Sequence, residues 1–321
     1  MTLPNRPRYA ARLNAFKRGK EGVAGMIARA GEVGGLSAAD LNFPDHFEAH
    51  RAAELSDMLA AQGMALNGLA MRYYTEAGFK LGAFTHPDRD VRRAAVDVTK
   101  RGMDALAAMG GTVMTLWLGQ DGFDYSFQAD YARMWDDTLE ALAEVCDHNT
   151  GLDVSVEYKP NEPRAHALMP DMATTLLALR DLGRKNAGVT LDFAHVLYAG
   201  EMPAKAAMLA ARYSRILGVH LNDGYGKRDD GLMAGTVHPV QTVELFVALE
   251  KIGYDGVIYF DTFPDHGGLD PVLEARENIR LTERLRTIAS GLAGRADLEA
   301  AIARQDAAAS TRIIAGAIYG A

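Results

Sequence analysis

The sequence predicts an α/β protein of the (β/α)8 TIM-barrel type with an extra C-terminal helix. Three observations lead there. Short apolar, β-branched runs alternate with longer stretches of helical period, which is the pattern of βα units around a parallel sheet. Eight such runs occur, the number that closes a barrel. The chain has 321 residues, 48% apolar and 24% charged, enough for one barrel of about 250 residues with extensions.

In chain order, the runs lie near Tyr9–Leu13, Leu36–Leu41, Ala65–Ala70, Val113–Leu118, Asp153–Glu157, Gly188–Asp192, Ile216–Leu221 and Gly256–Phe260. The segments between them carry helix-boundary chemistry. Pro87-Asp-Arg-Asp-Val91 opens a helix with proline and acids in its first turn, Met109-Gly-Gly closes it, and Pro170-Asp opens another. Connections are short, so residues 1–290 read as one barrel domain. Pro271 to about Ser290 is long enough to be the eighth barrel helix. Ala296 to about Ile318 is surplus, and residues 291–321 form a helical extension. Its Leu298, Ile302, Ile313 and Ile314 make an apolar face that needs a cover. A neighbouring subunit would supply one, so a homo-oligomer (dimer or tetramer) is expected; the alternative is a helix folded back on its own barrel.

Composition excludes several classes of function. With 34 Lys+Arg against 42 Asp+Glu the net charge is -8, so the phosphates of nucleic acid would be repelled on average. No run of about 18 apolar residues is present and the first twenty residues are polar and Arg-rich, so no membrane partner is expected and a cytoplasmic location is. The single cysteine, Cys146, falls on the apolar face of a helix and reads as a buried structural thiol.

In a barrel of this type the site is built where strands end and loops begin. Glu157, Asp192, His220 and Asp261 stand at the ends of four successive runs. Adjacent strands lie about 4.8 Å apart, so the four side chains can converge near the barrel axis. Three carboxylates and an imidazole make a hard site suited to a divalent metal, Mn²⁺ first, with Mg²⁺, Co²⁺ or Zn²⁺ as alternatives. Taken singly, each acid is as readily a helix N-cap and the His a hydrogen-bonded core group. Capping does not require this set at four consecutive strand ends. Trp117 ends the fourth run ahead of Gln120 and Asp121, which are within reach of a hydroxyl; a core Trp is the plainer reading. His46 follows the second run, where it either contacts substrate or simply fills a first helical turn. Arg72, Tyr73 and Tyr74 follow the third and are expected at a pocket rim. No Gly-rich loop or Lys/Arg cluster follows runs seven and eight, where barrels usually hold phosphate, so an unphosphorylated ligand is preferred.

At these residues the sequence resembles the xylose isomerase-like TIM-barrel superfamily, and within it the L-rhamnose isomerase type. Glu157-Tyr-Lys159-Pro160-Asn161-Glu162-Pro163-Arg164 is similar to the Glu-x-Lys-Pro-x-Glu-Pro stretch of those isomerases. Asp192-Phe-Ala-His195 resembles their acid-x-x-His, and His220-Leu-Asn222-Asp223-Gly-Tyr-Gly with Asp229 and Asp230 resembles their seventh-strand loop. The motif-level likeness runs from about Val113 to Asp261. It implies a metal held by Glu157, Asp192, His220 and Asp261, with Glu157, Lys159, His195 and Asp261 as the catalytic set. Trp117, His46, Gln120, Asn222 and Arg164 are then read as substrate contacts. His195, Asp229 and Asp230 would hold a second metal, although Lys227-Arg228-Asp229-Asp230-Gly231 departs from the Asp-x-Asp spacing of rhamnose isomerases and one ligand is in doubt.

The activity implied is aldose–ketose isomerisation of a free sugar, with proton or hydride transfer between C1 and C2. The runner-up is a ketose 3-epimerase of the same superfamily. Such enzymes use two glutamates, at strands five and eight, and this chain has the shorter Asp261 at the second position. An inositol-type dehydratase is a third enzyme reading, and a related endonuclease is disfavoured by the charge. A metal-stabilised barrel that binds a sugar without turning it over is the non-enzymatic alternative.

Overall fold

Each of the eight apolar runs is a strand in the computed structural model, which describes residues 8–73 and 77–320. The barrel strands are β1 (Tyr9–Ala11), β2 (Ala38–Phe43), β3 (Ala65–Met71), β4 (Val113–Trp117), β5 (Asp153–Glu157), β6 (Ala187–Asp192), β7 (Ile216–Leu221) and β8 (Ile258–Phe260). All pair in parallel, in the order β2-β3-β4-β5-β6-β7-β8-β1. The ring returns to its start through a single parallel bridge, Arg12 to Asp40, and the Ser37 N–H donated to the Tyr9 carbonyl at 3.0 Å. That seam is the thinnest part of the wall.

The helices are α1 (Gly22–Gly31), α2 (Ala52–Ala61), α3 (Arg89–Ala108), α4 (Tyr131–His148), α5 (Met172–Leu182), α6 (Phe193–Tyr198), α7 (Pro203–Tyr213), α8 (Pro239–Lys251), α9 (Pro264–Gly267), α10 (Pro271–Leu292), α11 (Ala296–Ala303) and α12 (Ala307–Tyr319). Their starts follow the sequence chemistry. The Asp88 side chain caps α3 by accepting from the Asp90 N–H, and Asp171 caps α5 by accepting from Thr174. Phe16, Phe84, Phe193 and Phe260 are among the largest side chains fully buried between strands and helices. Cys146 on α4 is buried too, and burial pushes its thiol up to about 12, so it stays protonated and inert.

Two features lie outside what the pattern shows. A two-residue antiparallel pair, Gly122–Phe123 with His166–Ala167, ties the loop after β4 to the loop after β5. The C-terminal stretch is two helices rather than one, because Gln305 takes a left-handed φ of 54° and Asp306 then caps α12 through the Ala309 N–H. α12 lies against α8 and α10, with Ile313, Ile314, Ala317 and Ile318 on the core, so the extension folds back on its own barrel. Ile302 and Tyr319 remain on its outer side. Among the described residues no helix is long and apolar enough to cross a membrane.

Candidate metal centre and its pocket

Parallel pairing sets the four strand-end residues at matching heights. Asp192 stands level with His220, His220 with Tyr259, and Glu157 with Trp117. Asp261 follows directly on β8, its N–H donated to the Leu221 carbonyl. Glu157, Asp192, His220 and Asp261 each place one donor atom within 4.8 Å of all the others. That is the span of opposite ligands around one ion at about 2.0–2.4 Å.

Asp192 shows that capping and clustering are not alternatives. One oxygen accepts the His195 N–H at 2.9 Å and so caps α6, while the fully buried carboxylate still faces the other three donors. Asn222 fixes its orientation. The amide nitrogen donates to both Asp192 oxygens at 3.3 and 3.1 Å and to the Asp261 carbonyl, and its oxygen accepts the Ala194 N–H.

Electrostatics describe a cluster short of positive charge. Burial, reinforced by Asp192, pushes Asp261 up to about 7, and burial raises Asp192 as well. His220 rises to about 9 and His195 to about 10; burial opposes both shifts, and the surrounding carboxylates overcome it. A divalent cation at the centre of three buried carboxylates would relieve their mutual repulsion, so the donor set fits such an ion in charge, hardness and span.

A second constellation adjoins the first. Asp229 Oδ2 accepts from Lys159 Nζ at 3.2 Å and lies 3.1 Å from His195 Nε2. These two cations hold the Asp229 carboxyl well below the usual range despite burial. Asp229 Oδ1 and His195 Nδ1 are buried with no hydrogen-bond partner among the described residues; His195 Nδ1 lies 3.6 Å from Glu157 Oε1. Lys159 also pairs with Glu162 at 2.8 Å and lies over the Trp117 ring at 5.2 Å from its centroid.

The loop presenting Asp229 is clamped at its base. Asp223 and Leu232 exchange two backbone hydrogen bonds of 2.9 Å, and the Phe263 N–H donates to the Gly231 carbonyl at 2.8 Å. Gly231 has a φ of +58°, and a Cβ there would be driven into the Phe263 ring. Only glycine suits that position.

Glu157, His220, Asp261, His195, Asp229, Lys159, Glu162 and Trp117 line a cavity of about 430 Å³, with Asp192 buried behind them. Arg12, Tyr259 and Phe263 also form part of its wall, none of them singled out in the sequence. Strand-end position would have found Arg12, one residue past β1, and alternation along β8 would have turned Tyr259 inward. Arg12 is held by Asp265 at 2.9 Å, lies across the Phe263 ring and stands 3.8 Å from Asp261.

Of the other described candidate residues only Arg72 lines this cavity. Arg164 bonds the Lys80 carbonyl and Asp124, away from this cavity. Asp230 turns back on its own loop, accepting from the Tyr225 N–H and pairing with Arg228. Gln120 sits in the turn after β4 and does not line the cavity, and its neighbour Asp121 binds Ala83 and Thr85. His46 is buried in a 3-10 turn, its Nδ1 accepting the Asn42 N–H and its Nε2 facing Asn14 Oδ1 at 2.9 Å. Arg72 lines the cavity, Tyr73 is core, and Tyr74 lies outside the described residues.

Eight parallel strands with acids and an imidazole gathered at their C-terminal ends define a (β/α)8 barrel with a candidate divalent-metal centre. The chain belongs to the xylose isomerase-like TIM barrel family, whose model matches residues 27–285. It is 29% identical over 205 residues to a xylose isomerase of Thermus thermophilus, covering 62% of this chain and 53% of that protein. It thus spans about half the length of that relative. Its fold is similar to those of a D-tagatose 3-epimerase-like protein (TM-score 0.72, 16% identity, 87% of this chain and 98% of that one) and a D-allulose 3-epimerase of Methylomonas (0.69, 18%, 88% and 99%). It is also similar to that of a xylose isomerase domain protein of Alicyclobacillus acidocaldarius (0.66, 19%, 88% and 99%).

Proposed function

We propose that the protein is an aldose–ketose isomerase acting on a free, unphosphorylated sugar and dependent on a divalent metal, Mn²⁺ by preference. The observation that carries this reading is the joining of two constellations at one cavity: a cluster of four metal-type donors, three of which line it, and the Lys159–Asp229–His195 chain beside them. Glu157, Asp192, His220 and Asp261 would hold the cation, which when bound supplies Lewis acidity toward the substrate's oxygens.

The chain's own groups do the rest. Trp117 and Phe263 offer apolar walls to the carbon skeleton. Lys159 donates from Nζ to the oxygen on which negative charge develops, and its pairing with Asp229 and Glu162 keeps it charged. Glu157 and Asp261 reach the cavity from opposite flanks of the cluster and take and return the proton moved between C1 and C2. His195, held at Nε2 by Asp229, exchanges a hydroxyl proton at Nδ1, the ring nitrogen without a hydrogen-bond partner among the described residues. His195 and Asp229 are also the two residues of the proposed second-metal set that stand together here.

The fold likeness to 3-epimerases supports ketose epimerisation as the second reading. Against it stands Asp261, one methylene shorter than a glutamate, since about 1 Å of misplacement can cost about a hundredfold in rate. Incubating the Mn²⁺-loaded protein with free pentoses and deoxyhexoses and measuring ketose formation tests the proposal. Epimerised ketoses without aldose conversion would replace it.

A further inference from the structure

Three histidines line the metal-bearing cavity, His195, His220 and His266. The first two are buried among the carboxylates already described. His266 stands at the mouth, with 67% of its side chain exposed. It ends a chain built like Lys159–Asp229–His195. Arg12 Nη1 donates to Asp265 Oδ1 at 2.9 Å, and Asp265 Oδ2 stands 3.8 Å from His266 Nε2. Phe263 braces both ends: Arg12 lies over its ring, 4.8 Å from the centroid, and the imidazole packs beside it at 5.1 Å. The order cation, carboxylate, imidazole thus occurs twice on the cavity wall, once on the segments after β5, β6 and β7 and once on those after β1 and β8.

The proposed reaction leaves one step without a residue. Pentoses and hexoses exist in water almost wholly as ring hemiacetals, whereas transfer between C1 and C2 needs an open-chain carbonyl. Opening the ring takes a proton donor at the ring oxygen. His46 does not fill this role: the Asn42 N–H and Asn14 Oδ1 engage its two nitrogens, and burial lowers its pKa to about 3, so it stays neutral.

We propose that His266 is the proton donor that opens the sugar ring, with Asp265 and Arg12 as the residues that position it. This rests on the sugar-isomerase reading and adds a catalytic residue to it. The C1–O5 bond breaks with its electron pair going to O5, which takes a proton from the imidazolium. The electron pair of the O1–H bond becomes the second bond of the carbonyl, and that proton leaves to solvent water. Solvent returns a proton to the imidazole, so the cyclic sugar becomes its open-chain isomer with atoms and charge unchanged. Asp265 faces Nε2, which leaves Nδ1 for the substrate. Exposure at the mouth suits a group that must exchange its proton with solvent at every turnover.

The test compares the Mn²⁺-loaded parent with His266→Gln, taking kcat/KM on an aldopentose and on glyceraldehyde, which is too short to close a ring. The side chain is exposed, so the substitution should leave the fold intact, and Tm checks this. The ratio of aldopentose to glyceraldehyde kcat/KM is expected to fall by at least about tenfold in the variant. A second measurement reads ring opening alone. The anomers of a 2-deoxyaldopentose, which lacks the C2 hydroxyl and so forms no ketose, should interconvert faster with the parent than in buffer, and His266→Gln should lose most of that acceleration as followed by NMR. Either a ratio unmoved by the substitution or an acceleration equal in parent and variant would overturn the assignment and leave the isomerase reading standing. Absence of ketose from every aldose would remove the isomerase reading, with anomer interconversion still deciding the role of His266.

Discussion

Gly231→Ala puts a small perturbation behind the candidate catalytic loop, and its size follows from the structure. The residue has φ +58°, which costs an L-residue about 1–2 kcal/mol. The new methyl meets the Phe263 ring, and overpacking of that kind adds about 1–3 kcal/mol. A penalty of about 2–5 kcal/mol exceeds the single hydrogen bond from Phe263 N–H to Gly231 O, worth about 1 kcal/mol. The loop is therefore expected to leave Phe263 and carry Asp229 off Lys159 and His195. Displacement of about 1 Å costs roughly a hundredfold in rate, whereas the four metal-type donors belong to other segments and stay in place. Steady-state kinetics with the best sugar, together with Mn²⁺ calorimetry, should show kcat down by about ten- to a hundredfold and metal affinity changed by no more than a few-fold. Undiminished kcat in a variant of lowered Tm would refute the placement of Asp229 in the reaction. Loss of metal along with activity would show that the loop holds the centre itself.

Other perturbations bear on different parts of the site. Glu157→Gln and His220→Ala should each lose bound metal and activity together, measured by elemental analysis after dialysis; full metal content in both variants would remove this centre. Mn²⁺ at a hundred times its Kd should stabilise the fold by about 2.7 kcal/mol and raise Tm by several degrees, and a chelator should reverse the shift. Asp121 is pushed up from 3.8 to about 6, burial being the main cause. The folded state thus binds its proton more tightly than the unfolded one, and this group's contribution to stability falls as pH rises from about 4 to 6. Asp121→Asn should accordingly gain on the parent by about 2 kcal/mol between pH 4 and pH 8 in urea unfolding. A constant difference across that range would exclude a buried charge at this position.

Much of the fold could be read because each element states its own boundary. β5 and β7 begin and end where the apolar runs do, and Pro87-Asp88 and Pro170-Asp171 place the starts of α3 and α5. The break at Gln305 could not be read, since no Gly or Pro announces the left-handed turn. At the site, strand-end position brings out the four metal-type residues but says nothing about side-chain direction in loops. Asp229 and Asp230 are adjacent and chemically identical. Only the folded loop, with Asp230 drawn to the Tyr225 N–H and to Arg228, shows which carboxylate turns inward. Asn222 and Arg164 sit in motif positions yet spend their hydrogen bonds on Asp192 and on the Lys80 carbonyl. Such choices depend on partners far away in sequence.

The thin seam between β1 and β2 has a dynamic consequence. β8 and β1 have three residues each, and the ring closes over one bridge, so the lowest-energy opening of the barrel is local and starts there. Asp261 follows directly on β8, while its three companions in the cluster come from the firmly paired half of the ring. An ion shared among the four would not bridge the seam itself but would tie the end of β8, on which β1 leans, to the firmly paired half of the ring. Amide deuterium exchange at Arg12, Tyr259 and Phe260 should then slow on metal loading far more than exchange along β4 and β5, making the mobility of one seam a gauge of occupancy at the centre.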